Sequence, residues 1–138
     1  MGHRRQARET AVQIWYQIDL SHCEPEEAIR LYWRQHPAPP DVRGFAEELA
    51  RGTAREQVDI DQRISAHSTH WRLSRMAAVD RNVLRVAVYE LLHCSDIPIR
   101  VTLNEAIEIG KKYGSEESGA FINGILDQIA KEVDKPLE

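Results

Sequence analysis

Apolar residues recur at helical spacing along nearly the whole chain, and no stretch alternates apolar and polar residues long enough to make a strand. Ala7, Ala11, Ile14, Trp15 and Ile18 form a first stripe. Glu24-Pro25-Glu26-Glu27 opens a second helix carrying Ala28, Ile29, Leu31, Tyr32 and Trp33, and His36-Pro37-Ala38-Pro39-Pro40 stops it. Asp41 is placed to cap a third helix whose face runs through Val42, Phe45, Ala46, Leu49, Thr53, Ile60 and Ile64. Gly52 within it costs about 1 kcal/mol relative to alanine, which marks a close helix contact. Residues 65–72 read as a connection, followed by a short helix at 73–77. Val83, Leu84, Ala87, Val88, Leu91 and Leu92 give the segment from about 79 to 94 a wide apolar face and a central place. Thr102 and Glu105 have capping-box spacing for the next helix, with Leu103, Ala106, Ile107 and Gly110 inward and Gly114 at its end. Ser115 is placed to cap a last helix with Ile122, Ile125, Leu126, Ile129 and Val133 as its stripe. The expected fold is all-α.

The 138 residues suit one compact domain with an N-terminal lobe of about 1–65 and a C-terminal lobe of about 73–135. A charged fraction of 29% argues against membrane insertion. No apolar run approaches the roughly 18 residues a spanning helix needs, and no signal-peptide pattern follows the basic start. Cys23 and Cys94 lie far apart and read as reduced thiols of a cytoplasmic protein.

His3, Arg4, Arg5 and Arg8 precede any acid. Removing the three arginines from the 18 lysines and arginines leaves 15 against 22 acids, so a basic knot sits on an acidic body. Cations at a helix N-terminus are disfavoured by roughly 0.3–1 kcal/mol each. Arg4 and Arg8 also repel as i,i+4 neighbours. Two readings stand: a solvated, frayed terminus, or a site for phosphates, which both the arginines and the helix end favour. Phe121, between Gly119 and Gly124, lies at the flank of the last stripe. It is either packed core or a platform on which an unpaired base stacks, worth about 1–3 kcal/mol.

Enzymatic chemistry finds little footing. Gly110-Lys111-Lys112 lacks the upstream glycine and the Ser/Thr of a phosphate loop, and no G-x-S-x-G is present. His67-x-x-His70 lacks a third ligand, and His22-Cys23 and His93-Cys94 are isolated dipeptides, so no metal or other cofactor is expected. Glu105 and Glu108 read as a cap and a solvated flank. Trp15, Trp33 and Trp71 read as core or edge packing.

Several segments together resemble the NusB transcription antitermination family: Arg4-Arg5-x-Ala7-Arg8-Glu9-x-Ala11-Val12-Gln13, Asp80-Arg81-x-Val83-Leu84-Arg85-x-Ala87-x-Tyr89-Glu90-Leu91, Asp96-Ile97-Pro98, Asn104-Glu105-Ala106-Ile107-Glu108, and Phe121-Ile122-Asn123-Gly124-Ile125-Leu126-Asp127. The resemblance implies about seven helices in two packed helical bundles and a non-enzymatic, bacterial RNA-binding protein. It implies pairing with NusE, a small-subunit ribosomal protein, and binding of boxA single-stranded RNA in nascent transcripts. That complex would join RNA polymerase with other Nus factors, suppress premature termination and support ribosomal RNA synthesis. Carried onto this chain, the RNA-binding residues are Arg4, Arg5, Arg8, Tyr16, Lys111, Glu117, Ser118 and Phe121, and Asp80 maps to the NusE-facing surface.

Gln6 stands where relatives often have a third consecutive basic residue, and Gly119 and Ala120 are small where some carry polar or basic side chains. Fewer phosphate contacts follow. With a formal charge of −4, the chain is expected to bind RNA weakly until a basic partner completes the surface. Some relatives self-associate, which leaves monomer and homodimer both open. Two other readings compete: an RNA-targeting helical domain like those of ribosomal RNA cytosine methyltransferases, and a protein-only scaffold.

Overall fold

The protein, described here from a computed structural model, is defined over residues 2–138; Met1, at the start of the expected N-terminal lobe, lies outside the described residues. Seven α-helices and one 3₁₀ turn follow in order: α1 (Gly2–Ser21), α2 (Pro25–Gln35), α3 (Pro40–Arg55), α4 (Gln57–Ala66), the turn Leu73–Arg75, α5 (Ala78–His93), α6 (Ile99–Tyr113) and α7 (Ser118–Ala130). No strand occurs among the described residues.

α5 is the hub, packing against α1, α3, α4, α6 and α7. Its apolar stripe is correspondingly wide, with Val83, Leu84, Val88 and Leu91 almost fully buried. Trp15 is buried on α1 and donates its indole N–H to the Ala50 carbonyl on α3 at 3.1 Å. Gly52 lies directly under the Tyr89 ring, so a Cβ there would overlap it. This is the close contact that the mid-helix glycine implied.

Arg8 pairs with Glu90, and Asp19 with Arg81, so α1 and α5 run antiparallel. His22-Cys23 and His93-Cys94 therefore sit at opposite ends of the helix pair, and they form no joint site. Arg5 meets Glu105 while Glu9 meets Lys112, so α1 and α6 run in the same direction.

Several local expectations give way to tertiary partners. The long third helix breaks at Glu56 (φ −104°, ψ 16°) into α3 and α4, which lets both fit against α5. Asp41 lies inside the first turn of α3 rather than capping it, because Pro39 takes the cap and Pro40 the first helical position. The capping box at Thr102 and Glu105 does not form. Residues 135–138 cross the α5–α6 turn instead: Ile99 and Arg100 donate their N–H groups to the carbonyls of Pro136 (3.0 Å) and Leu137 (2.8 Å). Lys135 Nζ donates to the carbonyls of Glu90 (3.2 Å) and Cys94 (3.0 Å), closing the other side of the turn. With the donors at the start of α6 satisfied by the tail, Thr102 and Glu105 are free for other partners. Ser115 does not cap α7; its N–H donates to Ser118 Oγ at 2.9 Å, and Glu117 is the cap residue. Trp71 is exposed in the connection before the 3₁₀ turn, unlike the buried Trp15 and Trp33.

Candidate nucleic-acid interface

Helix α1 lays its basic end against α3 and α6. His3 Nδ1 lies 2.5 Å from Asp41, whose carboxyl is held below the usual range chiefly by that hydrogen bond. Arg4 reaches Asp96 at 3.6 Å, and its guanidinium lies 4.8 Å above the Phe45 ring. Arg5 donates from Nε and Nη2 to both oxygens of Glu105, each at 2.8 Å. That two-point contact holds the Glu105 carboxyl below its ordinary range, against the opposing effect of burial.

Arg8 differs from the two arginines before it. Its side chain is buried, and it donates from Nε and Nη2 to Glu90 at 2.8 and 3.1 Å. Glu90 also accepts from the Thr102 hydroxyl. A buried guanidinium so engaged fastens α1 to α5 and is not available to a phosphate. The like-charge repulsion between Arg4 and Arg8 is thereby relieved, since each faces its own acid.

Two turns along the same seam, about 10 Å by helical rise, Lys112 Nζ donates to Glu9 at 3.1 and 3.2 Å. The Tyr113 hydroxyl donates to Glu9 as well, at 3.0 Å. These contacts raise the Lys112 pKa, with the Glu9 hydrogen bond the largest cause. Tyr16 is exposed two turns further along α1 and, with Tyr113, Val79, Tyr32 and Leu31, lines an apolar groove of about 680 Å³ between α1 and α2.

The α6–α7 corner adds the remaining residues. Lys111 is exposed and 3.7 Å from Glu108. Glu117 is exposed at the cap of α7. Ser118 is buried, its hydroxyl taken up by Ser115, so it shapes the turn rather than offering a polar group outward. Phe121 is half-buried: part of the ring packs on the core and part remains accessible. The buried part answers to the packing reading of this residue, and the accessible part leaves room for the other. Gly119 lies against Lys111 and Ile107, with 3.3 Å from a built Cβ to the Lys111 stem. A bulkier residue there would press on Lys111.

Asp80 occupies the first turn of α5, where the helix dipole favours an acid. It is buried, and its Oδ1 has no hydrogen-bond partner. It presents no open charge to solvent. Arg81, beside it, ties α5 to Asp19 at 2.7 Å and to the carbonyls of Leu73 and Met76.

Glu9, Phe45, Asp96, Glu105 and Lys112 join the site although no local pattern in the sequence singles them out for it. Their partners lie roughly 40 to 100 residues away along the chain, and only packing brings them together.

Together the hub helix and this seam define a class: an all-helical protein with exposed cations anchored by its own acids. Residues 5–131 match the family model described as the NusB family. The chain is 51% identical over 129 residues to the transcription antitermination protein NusB of Desulfatibacillum aliphaticivorans, covering 94% of this chain and 90% of that protein. It is 52% identical to the NusB of Anaeromyxobacter dehalogenans, covering 94% and 91%. Among solved structures, T. maritima NusB superposes with a TM-score of 0.86 at 41% identity, covering 94% of this chain and 92% of that one. The NusB fold from a complex of antitermination factors NusB and NusE with double-stranded RNA superposes with a TM-score of 0.87 at 29% identity, covering 96% and 98%. The chain belongs to the NusB family.

Proposed function

We propose that this protein is a transcription antitermination factor that binds boxA-type single-stranded RNA as a heterodimer with NusE, within the cytoplasmic transcription complex of RNA polymerase and other Nus factors. The observation that supports it best is the row of exposed cations along α1 and α6. Arg5 and Lys112 share one seam, Arg4 stands beside it over Phe45, and Lys111 and Phe121 lie at the α6–α7 corner, at the end of α6 that carries Lys112.

The parts have separate roles. Arg4 and Arg5 hold phosphates at the helix tip. Tyr16 and Phe121 offer ring faces to unpaired bases, and Lys111 and Glu117 border the path between them. Arg8 and Ser118 hold the helices that carry these groups. The NusE-facing surface is the N-terminal end of α5, which carries Asp80. The protein works by binding, and no bond is made or broken.

Fluorescence anisotropy with a boxA-type oligonucleotide, a scrambled one and a duplex, each with and without NusE, tests this reading. Tightest binding of the boxA strand by the heterodimer is expected. Equal affinity for all three RNAs with NusE present would refute it.

A further inference from the structure

Arg5 and Lys112 each already have an acid of the chain as partner, and in both pairs the acid is the more buried member, unlike Arg4, whose partner Asp96 is the more exposed of the two. Arg5 has a side chain 48% exposed, whereas Glu105 is 18% exposed and also lies 3.8 Å from the buried Arg8. Lys112 is 59% exposed, whereas Glu9 is 15% exposed and is shared with Tyr113. The acids are fixed and the cations are tips that can turn outward. A phosphate therefore gains Arg5 or Lys112 only by taking it from a carboxylate that remains in place.

We propose that Glu105 and Glu9 are specificity-determining residues: built-in counter-ions that compete with phosphate for Arg5 and Lys112 and so suppress sequence-independent RNA binding. The proposal rests on the RNA-binding reading above. A generic polyanion gains little from a cation that is already neutralised, because few counter-ions are released when it binds. An RNA that also stacks its bases on the rings has a second source of affinity that does not depend on freeing the cation. A strand seated by its rings can stay bound with Glu105–Arg5 and Glu9–Lys112 closed, whereas a phosphate-only strand must open them, so the carboxylates penalise phosphate-only binding most and widen the gap between a fitting RNA and any other.

Glu105→Gln and Glu9→Gln keep the shape of each acid and remove its charge. For a scrambled single strand, each is expected to steepen the dependence of log K on log[salt] by about 0.7 and to raise affinity roughly three- to tenfold near 0.1 M salt. The boxA-type strand gains less, so the ratio of the two affinities falls. Glu132→Gln removes one charge from the α4–α7 side, where Glu132 meets His67 and Arg63, and is expected to leave that ratio unchanged. Circular dichroism and a thermal melt verify the fold of each variant; should Glu105→Gln unfold because Arg8 and Arg5 lose a shared partner, Glu9→Gln carries the test. Unchanged or weaker binding of the scrambled strand by a folded variant overturns the proposal while the RNA reading stands. Failure of the unaltered protein with NusE to bind boxA-type RNA overturns the RNA reading and the proposal together.

Discussion

Arg8 and Glu90 form a buried two-point ion pair that joins the first helix to the central one, with Thr102 of α6 donating to the same carboxylate. The pair explains how an arginine near a helix N-terminus is tolerated: its charge is answered by the core, not by solvent. Glu105, 3.8 Å away, links this buried pair to the exposed Arg5.

Arg8→Ala leaves Glu90 buried without its cation, and a loss of about 3–5 kcal/mol of stability is expected. Urea denaturation measures it. RNA binding by the fraction that remains folded should keep its salt slope, because Arg8 holds helices rather than phosphate. A slope reduced by about 0.7 would place Arg8 on the RNA after all.

Phe121→Ala should weaken boxA binding by about 1–3 kcal/mol with the salt slope nearly unchanged, since a ring face contributes stacking and no charge. The ring is half-buried, so the melting temperature also falls. Titrations carried out well below the melting temperature of the variant separate the two effects. Unchanged affinity there would assign the residue to packing alone.

Gly52→Ala improves helix propensity by about 1 kcal/mol but drives a methyl group into the Tyr89 ring. Overpacking typically costs about 1–3 kcal/mol, so a net destabilisation is expected by chemical denaturation. Adding Tyr89→Leu, which withdraws the ring, should restore part of the loss; an alanine variant as stable as the original would show that the ring moves aside freely.

Acid should loosen the seam. The Glu105 carboxyl lies below its ordinary value in the folded protein, chiefly through the hydrogen bonds from Arg5. Its stabilising contribution is therefore complete above the unfolded value of about 4.3 and disappears as pH falls through the lower folded value. In thermal melts, the stability difference between the original protein and Glu105→Gln should be constant from pH 7 to 5 and shrink below about pH 4. A difference that stays constant to pH 3 would show that the Arg5 contact is not formed in solution.

The all-helical character and the central place of the 79–94 segment were legible because apolar periodicity is local and Val83, Leu84, Val88 and Leu91 leave no alternative face. The glycine contact at residue 52 was legible for a related reason, since a helix interior accepts that residue's cost only when something lies close. The capping box was misleading: the Thr102-x-x-Glu105 spacing is genuine, but α6 begins a turn earlier at Ile99, so Thr102 lies inside the helix with its N–H on the Pro98 carbonyl, and the tail carbonyls at Pro136 and Leu137 take the first donors, those of Ile99 and Arg100. The break at Glu56 was equally hidden, because the apolar residues on both sides keep helical spacing while the chain turns between them.

What the linear chain determined by itself was its all-helical character, the positions of most helix ends and the clustering of positive charge before Glu9, all properties set within a few residues. Which charges remain open was decided only in three dimensions. Arg4, Arg5 and Arg8 are near-equivalent in sequence, yet one stacks on Phe45, one is shared with Glu105 and one is buried on Glu90. Coulomb attraction and burial act through distance in space, and those acids come within reach only when α5 and α6 pack against α1.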